Sequence, residues 1–200
     1  MQIVQYPHPA LRWKSKPIRQ VTPELRETVA EMFRLMYEFR GIGLAANQVA
    51  LPYQLFVLNL TADREQKDQE QVFVNPEIVE RRGSVEHEEG CLSLPALFGK
   101  VRRARKLRIQ AYDLEGNEIE QELDDLASRA VQHECDHLQG MLFIDRMSFL
   151  GRLGLATKLK ELEWKFRQAQ DRGEFPAVAQ IEEELRRLEA DQETLVAERI

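Results

Sequence analysis

Cysteine is scarce in this chain: Cys91 and Cys135 are the only two among 200 residues. Two are too few for a disulfide framework. A Cys91–Cys135 disulfide would be their plainest use, and it is set aside because the motifs around Cys91 suit a thiolate better. No apolar run approaches the roughly 20 residues needed to cross a bilayer. The opening MQIVQYPHPA has no basic segment followed by an apolar core, so no membrane contact and a cytoplasmic location are expected. Excess positive charge is also missing, since the net charge is -6 and the pI near 5.4. That balance argues against a whole-surface grip on DNA or RNA. The one basic cluster, RRARK at 102–106, is expected to be a solvated strand edge.

What is present suits an ordinary core, with 43% hydrophobic and 31% charged residues. The Pro-rich first 20 residues show no sustained period and read as an extended arm. Thr22-Pro23-Glu24 combines a capping hydroxyl, proline at the first helical position and an acid against the helix dipole. Leu25, Val29, Met32, Phe33 and Met36 follow at helical spacing, and Gly41 closes the helix. QLFVLNL at 54–60 and QVFVNPEIVE at 71–80 read as strands around a polar loop. LRIQAYDLEGNEI at 107–119 reads as a hairpin turning at Glu115-Gly116-Asn117. Helices and strands are segregated, which predicts an α+β fold with mainly antiparallel sheets.

The chemistry begins on a helix predicted over 124–139, where Leu126, Ala130, His133 and His137 share one face. Leu126 and Ala130 are expected to carry that face into the core. His133-Glu134-Cys135-Asp136-His137 is HExxH, in which imidazoles one turn apart hold one metal ion and Glu134 takes a proton from water beside it. Cys135 is turned about 200° from His133 and is assigned to packing; His87 and His8 are assigned to a loop and to the arm.

A catalytic ion needs a third protein ligand and an open position. Phe143 stands where an extended HExxHxxGxxH site needs its third histidine. A glutamate from a later helix, Glu161 or Glu163, would make the chain an HExxH zinc endopeptidase. Cys91 is the better donor, because Glu88–Pro95 reads as a tight loop able to present a thiolate and an amide together. A binding module with a closed structural metal site has no use for Glu134.

Gly41–Gln48, Glu89-Gly90-Cys91-Leu92-Ser93 and Gln132–Gly140 resemble, in order and spacing, the three signature motifs of peptide deformylases, and Tyr6-Pro7-His8-Pro9 resembles that family's opening. Asn47 and His8 depart from the family's commoner residues at their positions. The resemblance covers about residues 1–150. It implies removal of the formyl group from N-formylmethionyl nascent polypeptides. It also implies one divalent ion, Fe(II) with Zn, Ni or Co able to replace it, held by Cys91, His133 and His137. Glu134 would move the proton, and the Gln48 amide and Leu92 N–H would receive the developing negative charge. Gly41 and Gly43 would let a peptide lie as an added strand beside residues 41–44, with Ile42, Gly43, Leu126 and Ala130 binding the substrate. Arg129 is unexpectedly polar for the wall of a methionine pocket.

The expected architecture is therefore a catalytic domain at 1–150, its antiparallel sheets packed around the HExxH helix, and a helical extension at 151–200. Val178, Ile181, Leu185 and Leu188 have coiled-coil spacing over too few heptads to stand alone. With 9 basic and 11 acidic residues, the extension is expected to pack on the domain or self-associate, and any ribosome contact to be transient.

Overall fold

The first helix forms where its cap predicts. Thr22 Oγ1 accepts from Leu25 N, Pro23 and Glu24 occupy the first turn, and α1 runs Pro23–Glu38 with Leu25, Val29, Met32, Phe33 and Met36 buried. Our computed structural model describes the backbone of residues 1–197 and side chains through 191, so the last three residues of the predicted extension lie outside the described residues.

Among the described residues seven strands form two antiparallel sheets: β1 (Gly43–Ala45), β2 (Leu55–Leu58), β3 (Gln71–Arg82), β4 (Val85–Cys91), β5 (Leu94–Arg103), β6 (Lys106–Tyr112) and β7 (Glu118–Asp124). The larger sheet has the order β1-β2-β3-β6-β7, and β4-β5 is a separate hairpin. The α+β class and antiparallel pairing are as expected, and β6-β7 is the predicted hairpin.

The β4-β5 hairpin corrects the expectation of a loop at 88–95, since Cys91 ends one strand and Leu94 starts the next. Its alternation is hidden in the sequence. The inward positions of β5 are Leu97, Gly99, Val101 and Arg103, whereas Phe98 points out. Glycine and a charged residue on the buried face, and an aromatic on the open one, disguise a period of two. Arg103 also overturns the reading of RRARK as wholly solvated, because its side chain is only 4% exposed and paired with acids.

Helix α2 (Asp125–Leu138) carries HExxH. It packs against β1, β2, β5, β6 and β7. One expectation about its face fails: Leu126 is 42% exposed, opening onto a cleft rather than extending into the core. Val131 and Leu138 fill that inward role, buried with Phe56, Phe73 and Ile109.

The N-terminal arm ties the site together from behind. Val4 N donates to Gln48 O at 2.8 Å, and Tyr6 N donates to Ser93 O at 2.9 Å. Asn47 Nδ2 donates to the carbonyls of Ala10 and Trp13, and its Oδ1 accepts from Ser15 Oγ. After the short α3 (Phe143–Arg146), helices α4 (Phe149–Asp171) and α5 (Val178–Ala197) fold back over this arm. Leu159, Ile181 and Leu185 are buried with Val4, Ala10 and Leu11, and Trp13 Nε1 donates to Glu189 at 2.7 Å. No described helix is long and apolar enough to cross a membrane.

Candidate metal centre

Cys91 at the end of β4 meets His133 and His137, one helical turn apart on α2. The three donor atoms all lie within 4.8 Å of one another, with Cys91 Sγ 3.3 Å from His137 Nε2. Sulfur and two imidazoles suit a borderline or soft divalent ion. Glu161 pairs with Lys165, and Glu163 accepts from Tyr6 Oη. Neither later glutamate belongs to the donor cluster, so the endopeptidase ligand set is overturned.

The ring of His133 is oriented by a buried acid that sequence reasoning left without a role. His133 Nδ1 lies 3.1 Å from Glu89 Oε2. Arg103 donates to both Glu89 oxygens at 2.9 Å and also to Asp136, whose carboxylate Arg146 grips at 2.7 and 3.0 Å. Burial would raise the Glu89 pKa, but the bonds from His133 and Arg103 override it and hold the carboxyl at about 2. Glu89 is therefore an acceptor, and His133 Nδ1 donates to it, leaving Nε2 for the ion. The need of any ligand histidine for a partner on its other nitrogen was the available signal; Glu89 lies two residues before Cys91.

The two histidines are driven apart electrostatically. Burial opposes charge on both, but Cys91 and Glu89 raise His133 well above its ordinary value, whereas burial and the charge of His133 hold His137 well below it. His137 Nδ1 is buried with no hydrogen-bond partner among the described residues.

Glu134, next to His133 on the same helix turn, lines the same cleft as that histidine. Its Oε2 is buried without a partner among the described residues, and its Oε1 would lie 2.5 Å from a Cβ added at Gly43. Gly43 thus makes room for a carboxylate; approach of a peptide backbone is a second reason at most. Gly41 makes room for Leu92, whose Cδ1 would lie 2.8 Å from an added Cβ. Burial, opposed by His133 and reinforced by Glu89, raises Glu134 to about 7, a value suited to accepting and returning a proton near neutrality.

Gln48 is buried in the short helical turn Ala46–Val49 that follows β1. Its Oε1 accepts from Ala45 N at 2.9 Å, which fixes the amide so that Nε2 points at Cys91 Sγ, 3.4 Å away, and Ser93 Oγ, 3.3 Å away. Leu92 occupies the turn between β4 and β5. A cleft of about 550 Å³ opens beside these groups, lined by Ile42, Gly43, Leu126, Arg129, Ala130 and Phe98 among others. The predicted substrate-facing residues therefore share one cleft with Glu134 and His133. Cys135 has its thiol pushed up to about 12, chiefly by burial, and His87 is exposed.

Known proteins resemble the chain over most of its length. A sequence profile described as polypeptide deformylase matches residues 1–152. The chain is 42% identical over 190 residues to a peptide deformylase of Rhodopirellula baltica, covering 95% of this chain and 94% of that one. It is 44% identical over 161 residues to one of Neisseria gonorrhoeae, covering 80% and 95%. Among solved structures it resembles a peptide deformylase of Plasmodium falciparum at 38% identity and TM-score 0.81, covering 84% of this chain and 98% of that one. One of Thermus thermophilus matches at 36% identity and TM-score 0.75, covering 84% and 98%.

Proposed function

The chain belongs to the polypeptide deformylase family of metal-dependent hydrolases, which act on formylated nascent peptides, and from that premise we propose how its residues divide the work. The observation that carries the proposal is the convergence of the Cys91, His133 and His137 donor atoms within 4.8 Å, beside a buried carboxylate and an open cleft.

Cys91, His133 and His137 would hold the ion. Fe(II) is the assignment, with Zn, Ni and Co also suited to two imidazoles and a thiolate. When bound, the ion supplies Lewis acidity that brings water toward neutral pKa and polarises a carbonyl. Glu134 takes the proton from the attacking water and returns it to the amine that leaves as formate is released; its elevated pKa, about 7, supports both transfers. The Gln48 amide and the Leu92 N–H receive the negative charge that grows on the formyl oxygen. The amide is preorganised by its bond from Ala45, so it need not reorient during reaction.

The methionine side chain enters between Ile42 on one wall and Leu126 and Ala130 on the other. The peptide backbone adds beside β1 at Gly43, a strand that among the described residues pairs on its β2 side alone, so its outer edge suits strand addition. Residues 1–150 form the catalytic unit, around the HExxH helix, and 151–200 an extension bracing the arm. The location is cytoplasmic and any ribosome contact transient, in keeping with an extension whose acidic residues outnumber its basic ones.

The test is hydrolysis of formyl-Met-Ala by enzyme loaded with Fe(II) or Ni(II) without oxygen, with formate measured. Turnover is expected, and its absence in both forms would discard the reading.

A further inference from the structure

Arg129 is left over by the mechanism. It lies one turn before His133, lines the cleft with Ile42, Leu126 and Ala130, and pairs with no acid among the described residues. Its Nε is buried without a partner among the described residues, which also offer its terminal nitrogens no bond, and the residue as a whole is half-buried. Its alkyl stem can serve as apolar wall, but a methionine thioether offers a guanidinium only a weak acceptor.

Among the described residues the other charges on the cleft without an ion pair are Arg40, at the end of α1, and Glu88; Glu89 is committed to His133 and Arg103, and Glu134 lies buried. Two unpaired cations against one unpaired anion favour a peptide carrying negative charge. In an added strand, side chains of residues 1 and 3 share a face, about 7 Å apart. One helical turn separates His133 from Arg129, about 6 Å along the axis. Placing the first side chain against Ala130 near the metal centre brings the third, on the same face of the peptide, within reach of the long Arg129 side chain at the edge of the same cleft.

We propose that Arg129 is a specificity-determining residue that selects formylated peptides bearing an acidic side chain at the third position. The inference rests on the deformylase reading above. Its terminal nitrogens offer two parallel donors to one carboxylate, a geometry that lysine cannot reproduce.

The experiment compares kcat and KM for formyl-Met-Ala-Asp, formyl-Met-Ala-Asn and formyl-Met-Asp-Ala with wild-type enzyme and with Arg129→Met and Arg129→Lys. The readout is the Asp-to-Asn ratio within each enzyme, so a general loss of rate in a variant does not count. Wild type should favour Asp over Asn at the third residue about five-fold, chiefly through KM, with the preference shrinking in 0.5 M salt. Arg129→Met should erase it and Arg129→Lys should keep only part. Equal wild-type rates, or a preference that survives Arg129→Met, would mean Arg129 is merely a solvated wall residue. A preference seated at the second residue would overturn the register. Absence of turnover on all three peptides would instead sink the deformylase reading itself.

Discussion

Glu89 accepts a hydrogen bond from His133 Nδ1 at 3.1 Å, so the acid that aims one metal ligand is carried two residues before another, Cys91. Arg103 grips both oxygens of the same carboxylate, which keeps it ionised despite burial. Replacing Glu89 by Gln should lower metal affinity by about 10- to 100-fold, measured by competition with a chelator. Cys91→Ser should lose the ion outright. Unchanged affinity in Glu89→Gln would remove its orienting role.

Gly43 and Glu134 are in direct contact, and a methyl at position 43 would lie 2.5 Å from Glu134 Oε1. Gly43→Ala should therefore displace the proton carrier while leaving the core intact. A displacement of about 1 Å is enough for roughly a hundred-fold loss of kcat. The thermal midpoint should move by only a few degrees (about 1 kcal/mol or less). Full activity in this variant would show that Glu134 tolerates the shift.

His8 supplies a pH dependence of stability outside the metal-ligand set. Burial holds its pKa at about 4 rather than the ordinary 6.5. Its Nδ1 accepts from Ala10 N, a bond that protonation there would break. Between those two values the unfolded chain binds a proton that the folded chain does not, so stability rises with pH through this window. The contribution is complete above pH 6.5 and lost as pH falls toward 4, at most about 3 kcal/mol. His8→Asn keeps an acceptor for Ala10 without titrating. Its urea-unfolding free energy should fall less steeply between pH 6.5 and 4, and identical slopes would contradict the assignment.

Oxygen sensitivity separates the metals. A ferrous ion beside a thiolate is open to oxidation at both metal and sulfur, so activity of the Fe(II) form should decay in air much faster than that of the Ni(II) form. Equal decay would count against ferrous-site oxidation as the cause.

The sequence by itself determined the local chemistry of this protein. HExxH spacing on a helix brings His133 and His137 to one face and sets Glu134 beside them, because 3.6 residues per turn is a property of the backbone. The capping residues of α1 and the β6-β7 hairpin are equally local. What only the tertiary structure decided is which distant groups meet. The β4-β5 hairpin carries Cys91 to the histidines, and buries Arg103 because Glu89 and Asp136 are there to pair with it. The same packing leaves Leu126 and Arg129 at an open cleft rather than in the core. A buried charge is tolerated only when its partners come from elsewhere in the chain, and no pattern along one segment records them.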